Sequence, residues 1–194
     1  GARERIVQPG ADYPSNLHWS RDGNFIVFSM SSAEGVPRDL WAKDLRDPSQ
    51  PLRAIAATSA TDSHGNISPD GRWVAYGSDI TGKFEIYLTP FADNGRARQI
   101  PVGGGRFPVW LPDGANLYYV DLTGRLMSLP MSLEDGSPTG RATIVYDKPF
   151  GQADPLTRNY TIAPDGRPLI VKPVENRQSV NCLNIITNWW RLLP

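Results

Sequence analysis

The side chains with the clearest capacity for chemistry in this sequence are four aspartates, each followed by a glycine: Asp22, Asp70, Asp113 and Asp165. Carboxylates can ligate metal ions or act as general acids and bases. An aspartate before a glycine can instead accept hydrogen bonds from the backbone of its own tight turn. We favour the turn role, because the four aspartates belong to separate copies of a repeat and no calcium-loop pattern surrounds them.

His18 and His64 are the two histidines of the chain. His64 follows Asp62 and Ser63, so the three residue types of a hydrolase triad occur in one short segment. Neighbouring side chains on an extended segment point to opposite faces, which argues against a working triad here. No Gly-x-Ser-x-Gly nucleophile turn is present either. We therefore expect both histidines to have local partners, and we predict no catalytic residue and no metal site.

A run of three glycines before Arg106, at residues 103–105, is the remaining candidate for a binding loop. Successive backbone amides in such a loop could hold an anion. Nucleotide-binding loops join a strand to a helix, and no helical pattern follows this run. A tight connection that needs free φ angles explains it better, and no cofactor is predicted.

Four Asp-Gly pairs with similar flanking residues also define a repeat. The pairs are Asp22-Gly23, Asp70-Gly71, Asp113-Gly114 and Asp165-Gly166, at intervals of 48, 43 and 52 residues. Each pair follows a short apolar stretch and precedes an alternating apolar pattern, at 24–28, 72–76, 115–119 and 167–171. Alternation with aromatic and β-branched residues is typical of strands, and Asp-Gly suits the hairpin turn between two strands.

Each copy of the repeat contains further strand patterns. Third strands are predicted at 39–42, 84–88, 125–129 and 182–186, and weaker fourth strands near 52–55, 98–102 and 143–146. Four strands in about 45 residues are typical of a β-propeller blade. We predict an all-β propeller domain of about four four-stranded antiparallel blades, at 9–57, 58–103, 104–148 and 149–194.

Two points about this propeller stay open at the level of sequence. Residues 3–8 have strand character, and they either supply the outer strand of the fourth blade or remain from a preceding blade. Four blades could form a small closed ring, a fragment of a larger propeller, or one half of a ring that two chains complete.

Composition narrows the possible partners. Twenty basic residues balance twenty acidic ones, and no basic cluster occurs, which argues against nucleic acid as the main partner. No apolar run approaches the roughly 20 residues needed to span a bilayer. The single cysteine, Cys182, excludes an internal disulfide and a cysteine-based metal cluster.

Aromatic residues recur at equivalent positions of the repeat. We predict that they form the core between blades, because large aromatic side chains bury much apolar area. They are Trp19, Trp41, Trp73, Trp110, Tyr76, Tyr87, Tyr118 and Phe84.

The loops that lead from one outer strand to the next inner strand lie together at one end of a propeller. The sequence predicts a ligand-binding channel mouth there, formed by Tyr13, His64, Arg106, Phe107 and Arg158. Arginine and aromatic residues are favoured at interfaces, and loops on a rigid scaffold often carry binding. Arg106 and Arg158 hold the same position in the repeat, so a small ligand bound there is expected to be anionic.

Five segments carry a resemblance to a known family. They are residues 68–76 (Ser-Pro-Asp-Gly-Arg-Trp-Val-Ala-Tyr), 83–91, 103–110, 124–127 and 188–194. Together they resemble TolB-type propellers, which are relatives of WD repeats. The resemblance is to the C-terminal propeller of bacterial multidomain sensors that also carry a serine/threonine kinase or a winged-helix domain. Arg21 and Leu111 depart from the Ser-Pro-Asp-Gly pattern of the repeat.

The resemblance implies a non-catalytic scaffold that recognises a protein or a small ligand. Such a scaffold would be the sensory or interaction module of a bacterial signalling or envelope protein, in the periplasm or another extracytoplasmic space. Two other functions remain open: a hydrolase or lyase with its site at the channel mouth, and a structural unit that forms homodimers through blade edges.

Overall fold

The computed structural model describes residues 14–31, 36–92, 95–150 and 157–171. This part of the chain contains 14 strands and no helix, and so no helix that could cross a membrane. The strands are β1 (Ser15–Trp19), β2 (Phe25–Met30), β3 (Asp39–Asp44), β4 (Arg53–Ala56), β5 (Asp62–Ile67), β6 (Trp73–Ser78), β7 (Glu85–Pro90), β8 (Arg98–Gln99), β9 (Arg106–Trp110), β10 (Asn116–Val120), β11 (Leu126–Pro130), β12 (Thr143–Tyr146), β13 (Tyr160–Ile162) and β14 (Pro168–Ile170).

The strands form antiparallel sheets in chain order, which confirms the predicted fold class. Strands β1–β4, β5–β8 and β9–β12 make three four-stranded sheets, here called blades 1, 2 and 3. In the described residues β13 and β14 pair as the inner part of blade 4. The predicted third strand of blade 4 at 182–186 and the strand at 3–8 lie outside the described residues.

The four Asp-Gly turns have the same backbone geometry. In each turn the glycine N–H donates to the carbonyl three residues earlier, at 2.9–3.0 Å, as in the bond from Gly71 to Ser68. The four glycines have φ angles between 73° and 84°, a region that side chains avoid. The repeat in the sequence is therefore a repeat of one hairpin turn.

The four aspartates accept hydrogen bonds within these turns. Each Oδ1 accepts the backbone N–H two residues ahead, from Asn24, Arg72, Ala115 and Arg167 respectively. A hydrogen bond from the Ser20 hydroxyl and the bond from Asn24 hold the pKa of Asp22 below its usual value. Asp22 and Asp165 are fully ionised at neutral pH and serve as turn anchors.

Three apolar clusters join the blades in succession. Val27 and Leu40 of blade 1 pack with Val74 and Tyr76 of blade 2, while Ala75 points the other way, toward blade 3. A third cluster joins blade 3 to blade 4. Successive residues of each strand thus face different neighbouring blades. Because a blade covers each face of the sheet, both faces carry apolar side chains.

The aromatic residues divide between this core and the surface. Trp110 and Tyr76 are buried, with 5% and 3% of their surface exposed, which confirms the prediction for them. The prediction is wrong for Trp19, which is 58% exposed. It lies on an inner strand and lines an open cleft near the axis. The other five, Trp41, Trp73, Tyr87, Tyr118 and Phe84, are half-buried.

The inner strands of blades 1, 2 and 3 share a bulge. Asn16, His64 and Phe107 have φ angles of 54°, 58° and 62°, and each stands six residues before the turn aspartate. Strand pairing shifts register at these points. A bulge bends its strand and redirects the side chains that follow it, and those side chains lie near the propeller axis.

Candidate ligand-binding cleft

An open cleft of about 400 Å³ lies where the four inner strands converge. Twelve of its lining residues come from three positions of the repeat, at four, three and one residues before the turn aspartate. In blade order they are His18, Asn66, Val109 and Thr161; Trp19, Ile67, Trp110 and Ile162; and Arg21, Pro69, Pro112 and Pro164. Leu111 and Arg158 complete the lining.

Most of the cleft wall is apolar, and one of its two charged residues, Arg21, departs from the repeat. Three of the four positions directly before the aspartate are proline, whereas blade 1 has Arg21. Blade 1 also contributes Trp19, whose Nε1 donates to the Gly23 carbonyl at 3.0 Å. This bond fixes the indole at the side of the cleft while more than half of its surface stays exposed.

His18 is held in the cleft wall by Asn66 of blade 2. The Nδ1 atom of His18 lies 2.9 Å from Nδ2 of Asn66. Burial is the main reason that the pKa of His18 falls to about 4. The charge of Arg158 adds to this effect, and a hydrogen bond with the Ile67 backbone opposes it. The imidazole is therefore neutral at pH 7, so Nδ1 accepts the amide hydrogen of Asn66.

Asn66 reaches blade 3 as well. Its Oδ1 accepts the backbone N–H of Trp110 at 2.9 Å. One side chain thus connects three blades beside the cleft, and both of its polar atoms have partners.

Two arginines give the cleft its charge. Nη1 of Arg21 donates to the Pro112 carbonyl at 2.8 Å, which links the turn of blade 1 to the turn of blade 3. Arg158 is half-buried and close enough to His18 to lower its pKa. The fourteen residues of the lining include no carboxylate, so the local field favours anions.

The structure separates the residues predicted to form the channel mouth. Arg158 lines the cleft, whereas Arg106 packs its guanidinium 4.7 Å from the centre of the Phe84 ring. His64 and Phe107 lie within β5 and β9, each 4% exposed, and their rings contact edge to face at 4.5 Å. We expected these two side chains to be exposed at the channel mouth, whereas the structure buries both of them. Tyr13 lies outside the described residues.

The triad-like segment differs from the expectation in its geometry. Nδ1 of His64 lies 3.0 Å from Oγ of the preceding Ser63, because the bulge at His64 breaks the alternation of an extended strand. Both residues are buried, which denies a substrate access to Ser63. Asp62 directs Oδ2 to the backbone N–H and the hydroxyl of Thr58, at 3.1 Å and 2.8 Å. The three side chains form no catalytic relay.

Sequence reasoning missed Trp19, Arg21 and Asn66 as candidate site residues. A comparison of equivalent positions in the repeat could have found Arg21, because the other three blades have proline there, but it gives no such signal for Trp19 or Asn66. Within the described residues, no group of three histidine, cysteine, aspartate or glutamate side chains could hold a metal ion.

The blades, their Asp-Gly turns and the axial cleft define a β-propeller fold. The chain is similar in structure to TolB from Acinetobacter baumannii, with a TM-score of 0.68 and 18% identity over 90% of this chain and 41% of that one. It is also similar to a putative TolB from Agrobacterium tumefaciens, with a TM-score of 0.62 and 20% identity over 87% of this chain and 61% of that one.

A third similar structure is the β-propeller domain of the Trilobed protease from Pyrococcus furiosus. Its TM-score is 0.52 at 14% identity, over 70% of this chain and 43% of that one. No family model matches the chain. At these identities the likeness shows the fold alone, and the chain spans less than two thirds of the length of the TolB structures.

Proposed function

We propose that this chain is a non-catalytic propeller scaffold that recognises a protein segment or a small ligand in the axial cleft. The observation that carries the proposal is the exposure of Trp19 in a cleft to which all four blades contribute. An exposed indole beside arginine is the kind of surface that dominates binding energy at interfaces.

The chemistry of the cleft supports binding over catalysis. His18 is neutral at pH 7, engaged by Asn66, and has an arginine rather than a carboxylate as its charged neighbour. A general base in a hydrolase is usually oriented by a carboxylate, as in a triad. The turn aspartates accept hydrogen bonds from their own turn backbone, and the pKa values of Asp22, Asp70 and Asp165 are lowered, which suits these three poorly as general acids.

The wider role follows from the resemblance in the sequence. We propose that the propeller is the sensory or interaction module of a bacterial signalling or envelope protein in an extracytoplasmic space. Occupation of the cleft would shift the population of states in the longer protein, without chemistry in this domain.

A screen of binding to the purified chain tests this function. Ligands would be acidic, neutral and basic peptides and small carboxylates, with tryptophan fluorescence and calorimetry as readouts. We expect at least one ligand class to bind, and Trp19→Ala to weaken binding at least tenfold. The matched control is Leu122→Ala, because Leu122 is also exposed, at 45%, and does not line the cleft.

Two results would contradict the proposal. One is binding that Trp19→Ala and Leu122→Ala leave equally intact. The other is hydrolase or lyase turnover by the wild type that is lost when Arg158 or His18 is substituted. That result would favour an enzyme.

Homodimer formation is a second candidate, favoured by β12 (Thr143–Tyr146). This strand forms the outer edge of blade 3, and Ile144 on it is 49% exposed. Unpaired edges with apolar side chains invite pairing with another chain. Light scattering should show a dimer that Ile144→Lys dissociates, and a monomer at all concentrations would exclude this candidate.

A further inference from the structure

We infer that the axial cleft takes an anionic group, such as a carboxylate, against Arg158 and Arg21, and that its binding is coupled to proton uptake by His18. This inference rests on the proposed function, since it names the ligand chemistry and the linkage of the same cleft.

The two arginines are available to an anion in different ways. No hydrogen bond or ion pair engages Arg158 among the described residues, and its side chain lines the cleft. Arg21 uses Nη1 to bind the Pro112 carbonyl, so its guanidinium is positioned while its other N–H groups stay available. A guanidinium offers two parallel donors to a carboxylate, which makes it the preferred partner of such a group.

The walls of the cleft indicate what carries the anionic group. Trp19, Ile67 and Ile162 are apolar, and blades 2, 3 and 4 each add a proline to the lining. A free inorganic ion would leave these surfaces uncovered. An apolar or aromatic body that bears one anionic group fits both parts of the lining. A small organic acid and the carboxyl end of a peptide both have this chemistry.

His18 gives the site its proton linkage. The imidazole shares the cleft with Arg158, whose positive charge disfavours a second positive charge nearby. A bound anion would offset this repulsion and raise the pKa of His18 from about 4. Binding would then take up part of a proton, and affinity would rise as pH falls toward 5.

The other charged groups near His18 do not remove this coupling between anion binding and proton uptake. Arg21 of its own blade and Arg158 of blade 4 share the cleft with the imidazole, and Arg158 is the charged group that lowers its pKa. Blade 2 contributes the uncharged Asn66 and Ile67. The turn aspartates of the four blades lie outside the lining, and their carboxylates accept bonds from their own turns. In the free cleft the pKa of His18 is therefore set by burial and by Arg158, and a bound anion would act against the charge of Arg158.

The first experiment compares an anionic ligand with a neutral one of the same shape. Phenylacetate and phenylacetamide are titrated calorimetrically into the full chain at pH 7. We expect phenylacetate to bind at least tenfold more tightly. Arg158→Gln should lose this preference and Arg158→Lys should retain much of it, which would distinguish lost charge from lost structure. Equal binding of the two ligands would overturn the inference and leave the proposed function standing.

The second experiment measures the proton. Sulfate stays a dianion from pH 4.5 to 8, so its titration in buffers of different ionisation enthalpy counts protons taken up by the protein. We expect affinity for sulfate to rise roughly two- to ninefold between pH 7 and pH 5, from a shift of between one and two pKa units. His18→Gln should remove this dependence and keep the binding. A pH dependence that persists in His18→Gln would overturn the linkage.

A third comparison separates the two sources of the anion. One apolar hexapeptide is tested with a free carboxyl end and with an amidated end, alongside phenylacetate. Tighter binding of the free peptide than of phenylacetate supports a peptide terminus, and the reverse order supports a small organic acid. Equal binding of both peptides through Trp19 would keep the recognition function and reject the anionic group.

Discussion

The side-chain amide of Asn66 lies 2.9 Å from Nδ1 of His18, across the boundary between blades 1 and 2. The other end of the same amide accepts the backbone N–H of Trp110 in blade 3, also at 2.9 Å. A single polar side chain therefore links three inner strands where they line the cleft.

Asn66→Ala should destabilise the domain. The substitution leaves the buried N–H of Trp110 without its acceptor, and such a loss costs about 1–3 kcal/mol of the free energy of unfolding. Urea denaturation followed by tryptophan fluorescence measures the change. Gln99→Ala is the control, because Gln99 is exposed on β8 and should change stability by less than about 0.5 kcal/mol. A similar small change for both variants would contradict the bridging role.

Gly65→Ala should destabilise the domain by about 1–3 kcal/mol, the usual range for overpacking a core. A Cβ at Gly65 would lie 2.7 Å from side-chain carbons of Leu40 and Val27, both fully buried. Gly77→Ala on the neighbouring strand is the matched control, since a Cβ there meets no atom closer than 3.6 Å. It should leave the free energy of unfolding unchanged or raise it by up to about 1 kcal/mol. Thermal and urea unfolding measure the stability of both variants. An equal loss of stability in the two would contradict the prediction.

The two tryptophans of the cleft should respond differently to truncation. Trp110→Ala removes a buried core side chain and should cost about 3–5 kcal/mol. Trp19→Ala removes a side chain that is 58% exposed, so it should cost less than about 1.5 kcal/mol while it weakens ligand binding. Denaturation curves and binding titrations on the two proteins check both statements. Comparable losses of stability would show that Trp19 belongs to the core.

Stability should fall as pH drops from about 6.5 to 4, because of His18. The pKa of His18 is about 4 in the folded chain and 6.5 when unperturbed, so the unfolded chain binds the proton more readily in this range. One proton changes the free energy of unfolding by at most about 1.4 kcal/mol per pH unit. His18→Gln should flatten this part of the curve relative to the wild type. Identical slopes in urea denaturation at pH 7, 6, 5 and 4.5 would show that His18 has an ordinary pKa in the fold.

Much of the architecture could be predicted because it depends on local chemistry. The Asp-Gly pairs require a positive φ and offer a carboxylate to the turn backbone, and both requirements are met within five residues of chain. Strand alternation is equally local. For these reasons the turns and the order of strands in blades 1, 2 and 3 follow from the residues.

The candidate site was predicted less well, because bulges in the inner strands change the direction of their side chains. Asn16, His64 and Phe107 differ in chemistry, and all three adopt positive φ. Asn and His adopt positive φ more often than most residues, but Phe rarely does, so residue type does not mark this position of the repeat. The predicted mouth therefore included His64 and Phe107, which the structure buries. Arg158 lines the cleft, whereas Arg106 does not, and a ligand-binding role for either stays a prediction.

The sequence by itself determined that the chain consists of repeated antiparallel hairpin units and that Arg21 departs from the repeat. Hydrogen bonds between residues close in the chain are sufficient for those features. Only the tertiary structure decided that His18, Asn66 and Trp110 meet, and that Arg158 reaches the same cleft from blade 4. These residues are more than 40 positions apart, and the distance between them is set by how the blades pack, which involves side chains throughout the domain.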